Sequence, residues 1–247
     1  MILRRLATSI RKQDWFAVVI ETLIVVLGVF LGLQVNNWNE ARQSSLREAE
    51  VLSALQAEFE QNIGTLNSAL ERLNERNASE YEAALLLEVE NLAPEDSERI
   101  VSGLREIMYF SPLSVRDNAF ESLRQSGELS TISDDEILMR LNDFARRLAW
   151  IQDQRESFRT GISGMELDWR DYVFHGPAET PVRTVVNVDL EGFLADPRAV
   201  SAFNQVVRMK HIYASYLPGL IEDAGQTCIM LGEATGRPCA AEGEISE

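Results

Sequence analysis

The chain has 247 residues, 45% of them hydrophobic, and a formal net charge of −16, so it is long enough to bury a sizeable core. An acidic surface repels phosphates, which argues against nucleic acid as a partner. It also repels anionic lipid headgroups, so we expect the acidic part to stand away from the membrane surface, although solubility is the simpler reason for the charge.

The first predicted element is an apolar segment over residues 15–35, WFAVVIETLIVVLGVFLGLQV. As a helix it rises roughly 31 Å, the thickness of a bilayer's hydrocarbon core. Fourteen of its residues are Leu, Ile, Val or Phe, which together contribute on the order of −6 kcal/mol to insertion. Glu21 costs roughly 2–3 kcal/mol, so insertion wins. We therefore predict a transmembrane helix over 15–35, with the lipid bilayer as its surroundings.

Two alternatives to this anchor are a cleaved signal peptide and a buried core helix. The segment is too long for a typical signal-peptide core, and GLQVNNWNEAR lacks an Ala-x-Ala-like cleavage site. Four basic residues precede the segment, whereas only Arg42 and Arg47 follow it closely. The positive-inside rule then places a basic N-terminus, 1–14, in the cytoplasm and the rest of the chain outside it. Because the first 35 residues carry four basic and two acidic groups, that remainder has a net charge of −18.

Glu21, Gly28 and Gly32 lie on one face of the predicted span. Seven and eleven residues separate Glu21 from the two glycines, so at 100° per residue each glycine falls within about 20° of Glu21. A G-x-x-x-G spacing allows close helix approach, and a contact there hides Glu21 from lipid. We predict helix packing in the membrane through these residues. The alternative is that the glycines are ordinary membrane-helix glycines and that Glu21 reaches the cytoplasmic interface.

Polar and aromatic residues stand at both ends of the span. Trp15 precedes it, and Asn36, Asn37 and Trp38 follow it within NNWNE. Such residues are typical of the membrane–water interface. We predict that they are interfacial anchors that set the depth of the helix.

Beyond the span, an amphipathic helix with little break is predicted up to Pro94. Its apolar residues recur every three or four positions, at Leu52, Leu55, Phe59, Ile63, Leu66, Leu70 and Leu73. A shorter helix is predicted over 95–109 and another from Asp117 to Gly127.

A long helix is predicted next, beginning at a capping box formed by Ser133 and Glu136 and continuing past Gly161 and Gly164. Residues 175–196 break the periodicity, and the β-branched run at 184–186 indicates a short extended segment or hairpin piece. Asp196 caps a last helix, which Pro218 kinks, and residues 236–247 are predicted to form a flexible acidic tail.

These elements predict an all-α fold in which one N-terminal transmembrane helix continues into an extracytoplasmic helical bundle with long amphipathic helices. The bundle domain covers residues 36–235. An extended parallel coiled coil is the alternative, because a bundle core produces the same heptad-like seams. The short helices and the broken segment favour the bundle.

The two cysteines, Cys228 and Cys239, lie close together near the C-terminus. A disulfide between them is plausible outside the cytoplasm, and free thiols are the alternative. A zinc site is disfavoured, because the chain's two histidines show no ligand spacing. We expect no metal and no cofactor.

No enzyme motif is present in the sequence. It contains no G-x-G-x-x-G, no G-x-x-x-x-G-K-(S/T), no G-x-S-x-G and no H-E-x-x-H. The abundant carboxylates are explained by solvated helix faces. We therefore expect a protein without catalytic activity, and an anchored enzyme is the less favoured alternative.

Two stretches carry a family resemblance: ETLIVVLGVFLGLQVNNWNEAR and DNAFESLRQSGELSTISDDEIL. The first resembles the N-terminal signature of a family of uncharacterised bacterial single-span membrane proteins, the domain of unknown function 6090 type. The second is similar to that family's central stretch. The resemblance implies a single-pass protein of the bacterial inner membrane and supplies no activity.

The function predicted from the sequence is a membrane-anchored helical interaction or sensory module that self-associates through its span. Its expected partners are further copies of itself or another membrane protein. The main alternative is an accessory subunit of a larger membrane complex, packed through Glu21 and the G-x-x-x-G face.

Overall fold

The computed structural model describes the backbone of residues 15–89, 91–107, 113, 115, 118–175 and 185–240. The predicted cytoplasmic N-terminus, 1–14, and residues 241–247 of the predicted tail lie outside this part of the chain. The chain divides into two compact units, Met1–Val51 and Leu52–Glu247. The predicted all-α class is confirmed: helices dominate the described residues, and two short strands form one small sheet there.

The first helix, α1, extends from Trp15 to Leu86. From Val19 onward it is long and apolar enough to cross a membrane, and its most apolar 18-residue window has a mean hydropathy of 2.0 with none of it buried. The helix continues without interruption into the amphipathic segment, as predicted. No proline occurs between residues 15 and 86 to remove a backbone donor.

The second half of α1 supplies one wall of the core. Leu55, Phe59, Ile63, Leu66 and Leu73 are buried at the predicted three- and four-residue spacing. One position differs, because Ala69 is buried and Leu70 is only half-buried. Either residue suits the stripe between Leu66 and Leu73, and here the smaller one faces inward.

In the described part of the chain, six further α-helices follow α1. They are α2 (Pro94–Glu106), α3 (Asn118–Ser126), α4 (Asp135–Trp169), α5 (Leu190–Ala195), α6 (Pro197–Ala214) and α7 (Leu217–Thr235). Helix α3 ends before Gly127, whose φ of 76° is left-handed and suits glycine. The kink predicted at Pro218 is a helix boundary, because α6 ends at Ala214 and Pro218 lies in the first turn of α7.

The start of α4 differs from the sequence prediction by one residue. The helix begins at Asp135, and the Asp134 carboxylate accepts hydrogen bonds from the backbone N–H groups of Glu136 (2.8 Å) and Ile137 (3.2 Å). Asp is as good an N-cap as Ser, and its charge also suits the positive end of the helix dipole. The predicted cap of α6 is present, since Asp196 accepts from the N–H of Arg198.

The broken segment contains a two-stranded antiparallel hairpin. β1 (Val173–His175) pairs with β2 (Val185–Val188), and the register shifts between Phe174 and His175. The predicted extended run at 184–186 therefore contributes to β2. Val173 is buried in the core, where its neighbours include Phe193 of α5 and Phe203 of α6.

Helix α4 lies at the centre of the bundle and packs against α6 and α7. Phe144 of α4 also contacts Phe59 of α1, with ring centroids 4.8 Å apart. Its polar side holds α7, because Arg147 pairs with Asp223 and donates to the carbonyl of Gly219. Burial of these apolar faces, each worth about 25 cal/mol per Å² of apolar area, holds the bundle together.

Residues 237–240, which the sequence places in the flexible tail, are held against α1. Gln56, which is buried, donates to the carbonyl oxygen of Arg237 at 2.8 Å, and Glu60 accepts from Arg237 and from the N–H of Ala240. Cys239 forms a disulfide with Cys228 of α7, and their Cα atoms are 5.7 Å apart. These contacts fix the chain four residues beyond the turn at Gly236.

Candidate functional site

The site predicted in the membrane lies on a helix face that touches nothing else in the described chain. Glu21, Gly28 and Gly32 are all exposed, and a Cβ atom placed on either glycine meets no atom within 4 Å outside its own helix. The surrounding apolar side chains from Val19 to Val35 are likewise exposed. The face is thus open to lipid or to another helix.

The predicted interfacial residues occupy the same continuous helix. The side-chain amide of Asn36 donates to the Glu40 carboxylate at 2.7 Å, one turn further along. Asn37 and Trp38 are exposed, Trp38 at 65%. The backbone of Trp15 begins α1, whereas its side chain lies outside the described part of the structure.

A cavity between the end of α1 and helix α6 is a second candidate site. Its volume is about 490 Å³, within the range of small-molecule sites. Its apolar wall consists of Tyr81, Ala84, Leu85, Val207 and Ile212. Tyr81 and Leu85 are 53% and 50% exposed, so the mouth of the cavity is open to solvent.

Four polar side chains line the same cavity: Glu88, Asn204, Arg208 and His211. The His211 ring stacks on Tyr81, with centroids 6.1 Å apart and an angle of 23° between the planes. A second hollow, also about 490 Å³, shares Asn204, Arg208 and Ile212 with the first. The apolar wall and the mixed polar groups together suit an amphipathic small molecule.

Asn204 contributes an unsatisfied acceptor. Its Oδ1 atom is buried and has no hydrogen-bond partner among the described residues. Leaving a buried acceptor unpaired costs about 1–3 kcal/mol.

Next to this cavity, α6 also carries a buried ion pair. Lys210 and Glu80 of α1 are hydrogen-bonded, and their side chains are 1% and 0% exposed. The Lys210 Nζ also lies 3.3 Å from the carbonyl oxygen of Ile107 and 3.5 Å from that of Glu106, at the C-terminus of α2. The negative end of a helix dipole favours a cation, so the lysine caps α2 from inside the core.

Burial dominates the electrostatics of this pair. Desolvation raises the pKa of Glu80 above its ordinary value, and the Lys210 ammonium opposes that rise. Desolvation also lowers the pKa of Lys210, and Glu80 opposes that fall. The Glu80 Oε2 and Asn77 Oδ1 atoms are buried without partners in the described chain. The pair links three helices, and it lacks the solvent access that turnover of a substrate requires.

The disulfide lies beside a carboxylate. Glu60, Cys228 and Cys239 bring one donor atom each within 4.8 Å of the others. A disulfide presents no thiolate, which is the form that binds metals. The Glu60 carboxylate also forms an ion pair with Arg237. The cluster therefore fastens the C-terminal loop to α1.

Comparison with known proteins adds no relative. No protein-family model, no curated protein and no solved structure matches the chain.

The cavity was missed by sequence reasoning, which considered the chain's two histidines, His211 among them, only as metal ligands. Its wall combines residues 81–88 with residues 204–212, and no local spacing connects the two segments. One signal was available: Tyr81, Leu85 and Val89 are large apolar residues at four-residue spacing, and all three are exposed. A second apolar stripe on an amphipathic helix indicates a binding surface.

Proposed function

We propose that the chain is a single-pass protein of a bacterial inner membrane, with its N-terminus in the cytoplasm and its helical domain outside. The domain acts as an interaction or sensory module, and the span associates with a second copy through Glu21, Gly28 and Gly32. The resemblance of residues 21–42 and 117–138 to a bacterial single-span family supports the membrane assignment. The positive-inside rule supports the orientation.

The observation that carries this proposal is the open face of the span. A glutamate and two glycines are aligned on an apolar helix whose side chains find no packing partner in the described chain. Glycines let two helix backbones approach closely, and a carboxyl group in a membrane favours a protein contact over lipid. A second copy of the same helix face provides both the close backbone approach and the protein contact for the carboxyl group.

Self-association in lipid tests the proposal. Full-length chains labelled with donor and acceptor dyes are reconstituted in vesicles, and energy transfer is measured against dilution with lipid. Gly28→Leu and Glu21→Ala are each expected to weaken association at least 5-fold. The matched controls, Val26→Leu and Phe30→Leu, change the opposite face and should leave it unaffected. Unchanged association in both Gly28→Leu and Glu21→Ala contradicts the helix-packing role.

Partner capture separates self-association from the accessory-subunit alternative. Crosslinking in intact membranes through a C-terminal tag should recover further copies of the chain. Recovery of a different membrane protein, lost in Glu21→Ala, would instead support a subunit of a larger complex. The orientation is checked by protease digestion of the C-terminal tag in spheroplasts, where protection of the tag would refute an outside location.

A further inference from the structure

The cavity between α1 and α6 brings opposite charges and an apolar wall together. Glu88 and Arg208 line it from the two segments, and within the described part of the chain neither side chain forms an ion pair. We propose that this cavity binds a small zwitterion with an apolar body, namely a short apolar peptide with free termini. In this assignment Arg208 binds the carboxylate and Glu88 the ammonium group.

The charges favour a zwitterion over either simple ion. A monoanion is repelled by a chain with a net charge of −16 and leaves Glu88 without a counter-charge. A monocation leaves Arg208 unpaired, although its guanidinium is well suited to a carboxylate, with which it forms two parallel hydrogen bonds. A ligand with no net charge and two charged ends complements both residues.

The unpaired acceptor favours a peptide. Asn204 Oδ1 is buried at the wall shared by both hollows and lacks a donor within the described chain. A peptide N–H or an ammonium group can donate to this oxygen once the half-buried Asn204 side chain turns it toward the cavity, whereas a fatty acid anion has no donor. Of a peptide and a fatty acid, only the peptide therefore brings a donor for this oxygen.

Size and shape agree with a di- or tripeptide. The cavity holds about 490 Å³, which leaves room beyond a single amino acid. An extended chain spans about 3.3–3.6 Å per residue, so even a dipeptide places its termini apart. Its apolar side chains can then contact Tyr81, Leu85 and Ile212.

The probe is the dipeptide Leu-Leu, titrated calorimetrically into the full-length chain in lipid nanodiscs. It is compared with its N-acetylated form, its C-terminal amide and decanoate. We expect saturable binding of Leu-Leu, weakened at least 10-fold by amidation and by Arg208→Gln. Acetylation and Glu88→Gln should each have an effect of similar size, and Tyr81→Ala should weaken every peptide form.

The pairing of groups gives the sharpest outcome. Arg208→Gln should not weaken the amide further, and Glu88→Gln should not weaken the acetylated peptide further, because the contacting charge is already gone. Arg72→Gln and Glu71→Gln are matched controls. Both change exposed residues on α1, at least 13 Å along the helix from Tyr81, and should leave binding unchanged.

Three results would overturn the inference. They are the absence of saturable Leu-Leu binding at millimolar concentration, equal binding of the free, acetylated and amidated peptides, and tighter binding of decanoate with the same dependence on Arg208. The last result identifies a lipid site. The inference rests on the sensory role proposed above, but the two fail separately, because peptide binding and energy transfer between spans are independent measurements.

Discussion

The N-terminal part of α1 and the domain that begins at Leu52 use the same residue types in opposite ways. Glu21 is exposed on an apolar helix, whereas Glu80 is fully buried and paired with Lys210. Gly28 and Gly32 face open space, whereas a Cβ atom at Gly103 would overlap the Ala83 Cβ and lie 3.0 Å from the Ser79 carbonyl oxygen. The domain packs these groups against its own residues, whereas in the N-terminal part the same residue types are exposed.

The largest expected effect comes from breaking the internal pair of the domain. Lys210→Met removes the charge that compensates Glu80 and should destabilise the fold by about 3–5 kcal/mol, because an unpaired carboxylate then remains buried. The measurement is urea denaturation of the full-length chain in nanodiscs, followed by circular dichroism. Glu21→Gln, which changes the glutamate of the other region, should leave this free energy of unfolding unchanged.

The double variant Glu80→Leu with Lys210→Met provides the control. Replacing a buried ion pair by apolar side chains of similar size is often neutral or stabilising. The double variant should therefore recover most of the stability that the single variant loses. A double variant as unstable as Lys210→Met would mean that the packing of Lys210 at the end of α2, and not its charge, holds the site.

The disulfide gives the next largest effect. Changing both Cys228 and Cys239 to Ala removes a disulfide between residues 11 positions apart. The chain-entropy model predicts that this loss lowers the free energy of unfolding by about 3 kcal/mol. The urea concentration at the midpoint of unfolding should fall accordingly. The contacts of Gln56 and Glu60 with Arg237 should also loosen, and hydrogen exchange at residues 237–240 would report this. Unaltered exchange there would show that Gln56 and Glu60 hold the segment without the disulfide.

Glycine substitutions compare the two regions directly. Gly103→Ala should destabilise the domain by about 1–3 kcal/mol, because α2 must move away from Ala83 to admit a methyl group. Gly64→Ala in α1, where a Cβ meets nothing within 4 Å, should instead stabilise by about 0.5–1 kcal/mol through helix propensity. Chemical denaturation of both variants checks the pair, and a stabilised Gly103→Ala would contradict the close approach of α2.

The helices were predictable because their signals are local. Apolar spacing and terminal residues such as Asp196, Gly127 and Pro94 act within one or two turns. The choice between Ser133 and Asp134 as cap, and between Ala69 and Leu70 as core residue, was not predictable, because both candidates satisfy the local rule. Packing around each position makes that choice.

The buried pair and the cavity depend on contacts between distant segments. Lys210 and Glu80 are 130 positions apart, and nothing in either segment identifies the other. A signal did exist, since Lys210 lies in the apolar stripe of α6 that includes Phe203, Val206 and Tyr213. A lysine in such a stripe must pair with a buried carboxylate or donate to backbone carbonyl groups. Only the folded structure identifies Glu80 as the partner.

The smallest expected effect is the pH dependence of stability in two single variants, Lys210→Met and Glu80→Gln. Each is measured against the double variant Glu80→Leu with Lys210→Met, so that the contributions of the other titrating groups cancel. In Lys210→Met, burial keeps the pKa of Glu80 above its ordinary value of 4.5, and the main opposing influence is gone. The folded state then holds a proton that the unfolded state releases, so stability falls as pH rises from 4.5 through the raised pKa.

Glu80→Gln should show the opposite dependence. It leaves Lys210 buried with its pKa below the ordinary 10.5, so the folded state binds the proton less tightly and stability rises as pH approaches 10.5. Between pH 5 and pH 9 the free energies of unfolding of the two variants should therefore change in opposite directions. Glu106 and Arg76, which also act on the pair, remain in both variants. Parallel pH profiles would mean that water enters the site once one partner is removed and hydrates the charge that remains.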